Sequence, residues 1–265
     1  MIQISYEHKK YLKGIKKYHF KVLFTQIFIF IFLILLWQIL ADLKVINTFI
    51  TSSPKMVFNE VIILFKNDNL LYHIWVTVYE TIISFSLGTL IGIGISTIMW
   101  LSPFFRRVID PYLTILNSLP KVALGPIIIV WCGAKIKSII LMALFISVIV
   151  MTMSVIESFE NIDKNKITLM KVLGANKRQI FFKLVFPSSK KAIISALKIC
   201  ISMSLIGVIM GEFLVSKAGV GYLIMYGSQV FNLNLVVTGI FILAILSWIM
   251  YSIVYYIEKR LNKKY

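Results

Sequence analysis

Few side chains in this chain could do chemistry, and they are scattered. The three histidines, His8, His19 and His73, share no metal-ligand spacing, and Cys132 and Cys200 both fall inside apolar runs. No nucleophile stands beside a base. The stretch Lys217-Ala218-Gly219-Val220-Gly221-Tyr222-Leu223-Ile224 carries paired glycines. No strand precedes it and the chain has no Walker pattern, so Gly219 and Gly221 mark a tight loop, not a phosphate cradle. What remains is a set of isolated charges in apolar surroundings. Such charges are costly within a membrane and commonly serve a pathway or a gate. Glu212 stands just before the glycine loop and reads as a structural or gating contact with it. Glu80 reads as a solvated residue at the start of a span. Lys198 is about two turns from Lys191, so its stem can reach back to the inner interface. Lys121 lies between Pro120 and Pro126, and it would favour an anionic substrate if it faces a cavity.

These residues need a membrane-spanning scaffold. The 265-residue chain is 59% hydrophobic and 15% charged. Uncharged runs cover Val22–Ala41 (20 residues), Thr81–Phe105 (25), Ser138–Ile156 (19) and Leu235–Ile257 (23). About 20 apolar residues cross a bilayer core as a helix. Two further runs, Pro111–Ala134 and Ala192–Gly211, are each interrupted by one lysine, Lys121 and Lys198. The expectation is an all-α integral membrane protein with six transmembrane helices. Gly88 and Gly92 share one face of the second span and permit close helix contact. Pro120, Gly125 and Pro126 break the third. Broken backbone survives in lipid only where it finds partners or lines a cavity. Asn117 to Pro126 therefore reads either as a segment near a pathway or as a packing kink.

Charge sets the orientation. With a cytoplasmic N-terminus, 20 of the 28 Lys and Arg residues fall on inside segments and 6 outside, and Lys121 and Lys198 complete the count. That asymmetry is a positive-inside signal. It explains the net charge of +17 without a nucleic-acid partner. The first apolar run is longer than a signal-peptide core and no small-x-small site follows it, so it reads as a retained helix. The cysteines imply neither a disulfide nor a metal framework. The organisation expected is a basic segment over 1–21, amphipathic and lying along the inner surface. A first helix with an outer interfacial helix follows over 22–69, then a core over 70–258 and a basic tail over 259–265. Ser53 caps the interfacial helix, with Pro54 at its first position. Met56, Val57, Val61, Leu64 and Phe65 form its apolar stripe.

The stretch Glu157–Lys191 is a polar, basic interruption between two apolar runs. Its composition predicts two short helices. Lys164–Leu173 ends at Gly174, which supplies a left-handed position. Asn176 caps Lys177–Val185, and Pro187 stops that helix. Ile167, Met170 and Leu173 sit at helical spacing. Such a knob suits a channel driven by a soluble motor.

The ordered set of motifs resembles the permease subunit of type I ABC importers, in the branch for sulfonates, nitrate, taurine and thiamine precursors. The similarity covers nearly the whole chain. It rests on Ser53-Pro54-Lys55-Met56-Val57, Leu119-Pro120 with Pro126 and Trp131-Cys132-Gly133, Leu173-Gly174-Ala175 with Phe186-Pro187, and Gly211-Glu212-Phe213 with Gly219-Val220-Gly221-Tyr222-Leu223-Ile224. The resemblance implies the type I permease fold with both termini cytoplasmic, in a prokaryotic plasma membrane. It implies no catalytic residue and no cofactor bound by this chain, ATP and Mg belonging to a cytoplasmic ATPase dimer. Further implied partners are a second permease copy, an extracytoplasmic solute-binding protein and membrane lipid. The cargo is a small organic or anionic solute moved by alternating access. ATPase coupling falls to Ile167, Thr168, Leu169, Met170, Leu173, Gly174 and Ala175. A pathway or gate falls to Asn117, Pro120, Lys121, Pro126, Glu212, Gly219 and Gly221. Where the family's loop usually reads Glu-Ala-Ala, this chain has Thr168, Leu169 and Met170, so the glutamate's role is absent or transferred. Glu80 also departs from the family pattern. Two other readings differ at specific residues. An energy-coupling-factor subunit would carry Ala-Arg-Gly motifs, and none occurs. A membrane-embedded enzyme would cluster acids at one face, and here they are dispersed.

Overall fold

A computed structural model describes residues 6–67 and 69–262. The tails 1–5 and 263–265, which carry Lys263 and Lys264, lie outside the described residues. So do the side chains of Lys9, Lys10, Lys13, Lys16, His8 and His19. All regular structure among the described residues is helical: α1 (Tyr6–Asp42), α2 (Thr48–Thr51), α3 (Pro54–Asn67), α4 (Leu70–Leu101), α5 (Pro103–Ser118), a 3-10 turn (Lys121–Leu124), α6 (Gly125–Cys132), α7 (Ile136–Glu160), α8 (Lys164–Val172), α9 (Lys177–Ile180), a π turn (Phe181–Val185), α10 (Phe186–Val215), α11 (Val220–Gln229) and α12 (Leu233–Asn262). Five helical stretches are long and apolar enough to cross a membrane. The sixth expected span is a helix pair, Pro103–Ser118 with Lys121–Cys132, bent by 99°.

The core is a layer of α4, α7 and α10, with α11 and α12 against α10. Small residues bring the axes together. A Cβ on Gly92 would lie 2.7 Å from Met151 Cβ, and one on Gly211 would lie 2.9 Å from Ile139 Cα. On Gly88 it would strike Ser147. Interhelical hydroxyl bonds add to this contact: Ser96 Oγ donates to the Thr152 carbonyl at 2.9 Å and Ser84 Oγ to that of Ile140 at 3.3 Å. Close approach and buried hydroxyl bonds replace the hydrophobic drive that lipid cannot supply.

Several expectations change. The helix α1 runs unbroken across the 21/22 boundary. The helix α4 starts at Leu70, about three turns before Thr81, which carries Glu80 from a solvated edge into the interior, fully buried. Counting uncharged residues ends a span at any charge and so truncated this one. Pro103, Arg106 and Arg107 lie in the first two turns of α5, where Ser102 Oγ accepts the Phe105 N–H at 3.2 Å. Pro187 does not stop a helix. It occupies the first turn of α10, and the backbone stays helical from Lys177 to Val215. The π turn before it accounts for this: the Phe186 N–H bonds the Phe181 carbonyl, five residues back. That wider ring relieves the crowding a proline imposes on the preceding turn. The Lys198 ammonium pairs with Glu258 at 2.8 Å, joining α10 to α12 beside Lys259 and Arg260. In α3 Ser53 Oγ accepts the Met56 N–H at 3.3 Å, and Leu64 is buried while Met56 and Phe65 point outward.

Candidate functional site

Two constellations stand at opposite ends of the α4–α7–α10 layer. The first is built on α8. Asp163 caps it by accepting the Asn165 N–H at 2.8 Å. At its end, the Ala175 N–H bonds the Met170 carbonyl and the Gly174 N–H that of Lys171, both at 3.0 Å. Gly174 has φ +79°. These are the two crossing bonds of a glycine-terminated helix, in which the left-handed residue turns the chain back. Asn176 and Gln179 then form a reciprocal capping box for α9.

The helix has two apolar faces. Ile167, Met170 and Ala175 pack inward on a buried cluster containing Phe159, Phe181 and Val185. Leu169, Val172 and Leu173 point away and are 59%, 79% and 71% exposed. The inward face explains the periodicity read at 167 and 170. The outward ridge includes Val172, which sequence reasoning missed although its spacing from Leu169 signals it. Thr168 is exposed and its hydroxyl donates to the Lys164 carbonyl at 2.9 Å. Beneath α8 are cavities of about 420 and 380 Å³, both bordered by Trp100 and Ile167. Trp100 meets Phe181 at a centroid distance of 5.3 Å, and Lys177 Nζ stands 5.9 Å over its ring. An Arg106–Glu160 ion pair ties α5 to α7.

The second constellation surrounds Glu212 near the end of α10. The Thr77 hydroxyl donates to Glu212 Oε1 at 2.6 Å and accepts the Val220 N–H at 2.9 Å. Glu212 Oε2 accepts the Gly221 N–H at 2.6 Å. His73 Nδ1 accepts the Gly219 N–H at 3.0 Å, and the imidazole stacks on Tyr222. One buried carboxylate thus pins the loop into α11 against α4. Glycine is required twice. Gly219 has φ +113° and its Cβ would overlap the Glu212 carboxylate, and a Cβ on Gly221 would lie 2.6 Å from Oε2. Glu212 and the glycines were legible from the sequence. His73 and Thr77, 146 and 143 residues from their loop partners, carry no local signal.

Residues 84–263 match the model of the binding-protein-dependent transport system inner membrane component. The chain belongs to this family. Among curated relatives of this permease, the putative aliphatic sulfonates permease SsuC of Bacillus subtilis is 27% identical over 87% of this chain and 84% of its own. The formylaminopyrimidine permease ThiX of Halalkalibacterium halodurans is 26% identical over 73% and 76%. The taurine permease TauC of Escherichia coli is 21% identical over 82% and 81%. A solved structure, an inward-facing form of the MetNI methionine ABC transporter, shares the fold. Its TM-score is 0.63 at 19% identity, covering 74% of this chain and 95% of that one.

The remaining pathway residues of this permease do not join either constellation. Lys121 Nζ folds back to the Asn117 carbonyl at 3.0 Å, closing the carboxyl end of α5, where cations are favoured. Pro120 is the N-cap of the 3-10 turn, and Pro126 sits in the first turn of α6. Gly125 between them is buried, and its Cβ would meet Leu214 and Met142. The bend is thus wedged against α7 and α10.

Proposed function

We propose that this permease, paired with a second permease copy, forms the pathway of a prokaryotic plasma-membrane importer for a small organic or anionic solute. A cytoplasmic ATPase dimer grips α8, and an extracytoplasmic binding protein delivers cargo at the Glu212 end. ATP and Mg are held by the ATPase, and this chain contributes no catalytic group. The solute class follows the relatives, named for sulfonates, taurine and formylaminopyrimidine. The orientation follows the excess of lysine and arginine in the segments of the α8 end.

The observation that carries the reading is the two-faced α8. A helix held to its own bundle by Ile167 and Met170, yet presenting Leu169, Val172 and Leu173 outward, is a handle that transmits force. Burying three such side chains is worth on the order of 5 kcal/mol before association costs. Motion imposed on α8 reaches Phe181, and through the unbroken α9–α10 path it reaches Glu212. A shift there repositions the glycine loop, which gives two packed states for alternating access.

The test replaces Leu169 and Val172 together with Asp. Recovery of the ATPase with the tagged permease, and ATP-driven uptake, should both be lost, while membrane insertion and the protease map stay unchanged. Normal ATPase recovery by the double variant refutes the handle. Protease access to residues 164–176 from the outer side refutes the orientation.

A further inference from the structure

The α8 end of the bundle carries cations that neither the handle nor the pathway uses. Four of them border the two cavities beneath α8: Arg106 and Lys164 on the larger, Lys171 and Lys177 on the smaller. Arg106 is committed to Glu160. The smaller cavity, of about 380 Å³, has no acid in its wall. Neither of its lysines forms an ion pair among the described residues. Lys177 Nζ stands instead over the Trp100 ring. The rest of the wall is Trp100, Ile167, Ala175 and Ile180. The volume lies within the range of small-molecule sites, and the wall divides into a cationic part and an apolar part.

The depth of this cavity limits what can fill it. Trp100 is the penultimate residue of α4, a membrane span that ends at Leu101. The chain re-enters a helix at Pro103, followed by the exposed Phe104. Phe182, in the π turn, is exposed as well. Aromatic side chains at the ends of spans mark the headgroup layer. A basic pocket between helices at that level suits an anionic headgroup. A soluble anion would meet the two lysines and leave Trp100, Ile167 and Ile180 in water. An amphiphile satisfies both parts of the wall. Leu169, Val172 and Leu173 point away from the bundle while Ile167 packs inward, so the cavity and the ATPase ridge use opposite sides of α8.

We propose that the cavity between α8, α9 and the end of α4 binds the headgroup of an anionic phospholipid. The phosphate lies between Lys171 and Lys177, and the glycerol lies against Trp100 and Ile167. This lipid goes beyond the importer reading, because it is a ligand of the lever and not cargo. Held there, it braces α8 against Trp100, which contacts Phe181 on the path from α8 to α10.

The experiment uses the full-length permease in neutral detergent with a fluorescent short-chain phosphatidylglycerol as probe. Unlabelled dioctanoylphosphatidylglycerol, dioctanoylphosphatidylcholine and glycerol phosphate compete with it. A lysine beside an anionic headgroup is worth roughly fivefold in affinity. Phosphatidylglycerol should therefore compete about tenfold or more better than phosphatidylcholine. Lys171→Gln with Lys177→Gln should weaken it about tenfold or more. The charge-matched pair Lys166→Gln with Lys183→Gln, outside the cavity walls, should change it less than about twofold. All four lysines are exposed, so both double variants should keep the wild-type thermal midpoint. Equal weakening by the two pairs overturns the site, because the attraction then belongs to the whole basic face. So does equal competition by phosphatidylcholine, or an absence of saturable binding to the wild type. Glycerol phosphate that competes as well as phosphatidylglycerol overturns the lipid, since a free phosphate then fills the cavity. Full displacement of the probe by added saturating ATPase overturns it too, since the cavity is then part of the ATPase interface. The competition series contains no ATPase, so its failure and the failure of the handle are told apart.

Discussion

Replacing Gly174 isolates one physical effect. Its φ is +79° and a Cβ there would find no atom within 4 Å. A substitution therefore acts through backbone preference and not through a clash. Holding a non-glycine residue in this region costs about 1–3 kcal/mol, with alanine near the lower bound and β-branched valine near the upper. Asparagine visits it more readily. At about 1.4 kcal/mol per factor of ten, Gly174→Ala should disfavour the turned state about fivefold and Gly174→Val more than a hundredfold. Gly174→Asn should lie nearest wild type. The assay is hydrogen exchange of the 164–176 amides in membranes, paired with a titration of ATPase association. The Ala175 and Gly174 N–H groups donate across the turn, so they should lose protection first. A Val variant with wild-type exchange and association refutes the reasoning. An Asn variant as impaired as Val refutes the backbone explanation, since the two differ mainly in tolerance of positive φ.

Phe181→Ala should cost about 3–5 kcal/mol, because the side chain is 1% exposed and contacts Trp100, Phe159 and Phe186; a loss under 1 kcal/mol in denaturant unfolding contradicts that packing. Gly207→Val should separate α7 from α10 and lower the thermal midpoint, since even a Cβ would lie 2.5 Å from Ala143 Cα, whereas Gly94→Ala, with open space around it, should leave the midpoint unchanged or raised. Thr77→Val removes both the hydrogen bond to Glu212 and the acceptor for Val220. It should destabilise the loop by about 1–3 kcal/mol, read as faster exchange at residues 219–221, with Thr77→Ser restoring protection.

The spans, the caps Ser53 and Asn176 and the turn at Gly174 were legible because each depends on residues close together in the sequence. The break at Pro120, Gly125 and Pro126 was equally local, but its 99° bend depends on Gly125 lodging against Leu214 and Met142, which no local pattern encodes. Glu80 was misread because a charge was taken to end an apolar run, and only the fold shows that α4 continues around it. Pro187 was misread for want of the π turn upstream. In α8 the 167/170/173 spacing was visible, but periodicity does not say which apolar face turns inward, and here Leu173 parts company with Ile167 and Met170. The Glu212 cluster was half legible, since acid and glycines are neighbours in sequence while Thr77 and His73 arrive from another helix.

The apolar stretch of α1, Phe20–Asp42, has none of its most apolar window covered by the rest of the chain, whereas the equivalent window of α7 is 56% covered. Phe20, Phe24, Phe28 and Phe32 stack along it at 6.3–6.5 Å, and near its end Trp37 lies on Phe241 and Gln38 accepts the Lys55 N–H. The two helices therefore answer to different constraints. In α7 side-chain volume is dictated by neighbours, so even Ile-to-Leu exchanges need repacking. Along α1 only greasiness is dictated, so exchanges among Phe, Leu, Ile and Val should pass without effect while a single central Asp or Lys costs about 2.5–3.5 kcal/mol of insertion. Across homologous chains, this arm should drift freely in shape while keeping its hydropathy.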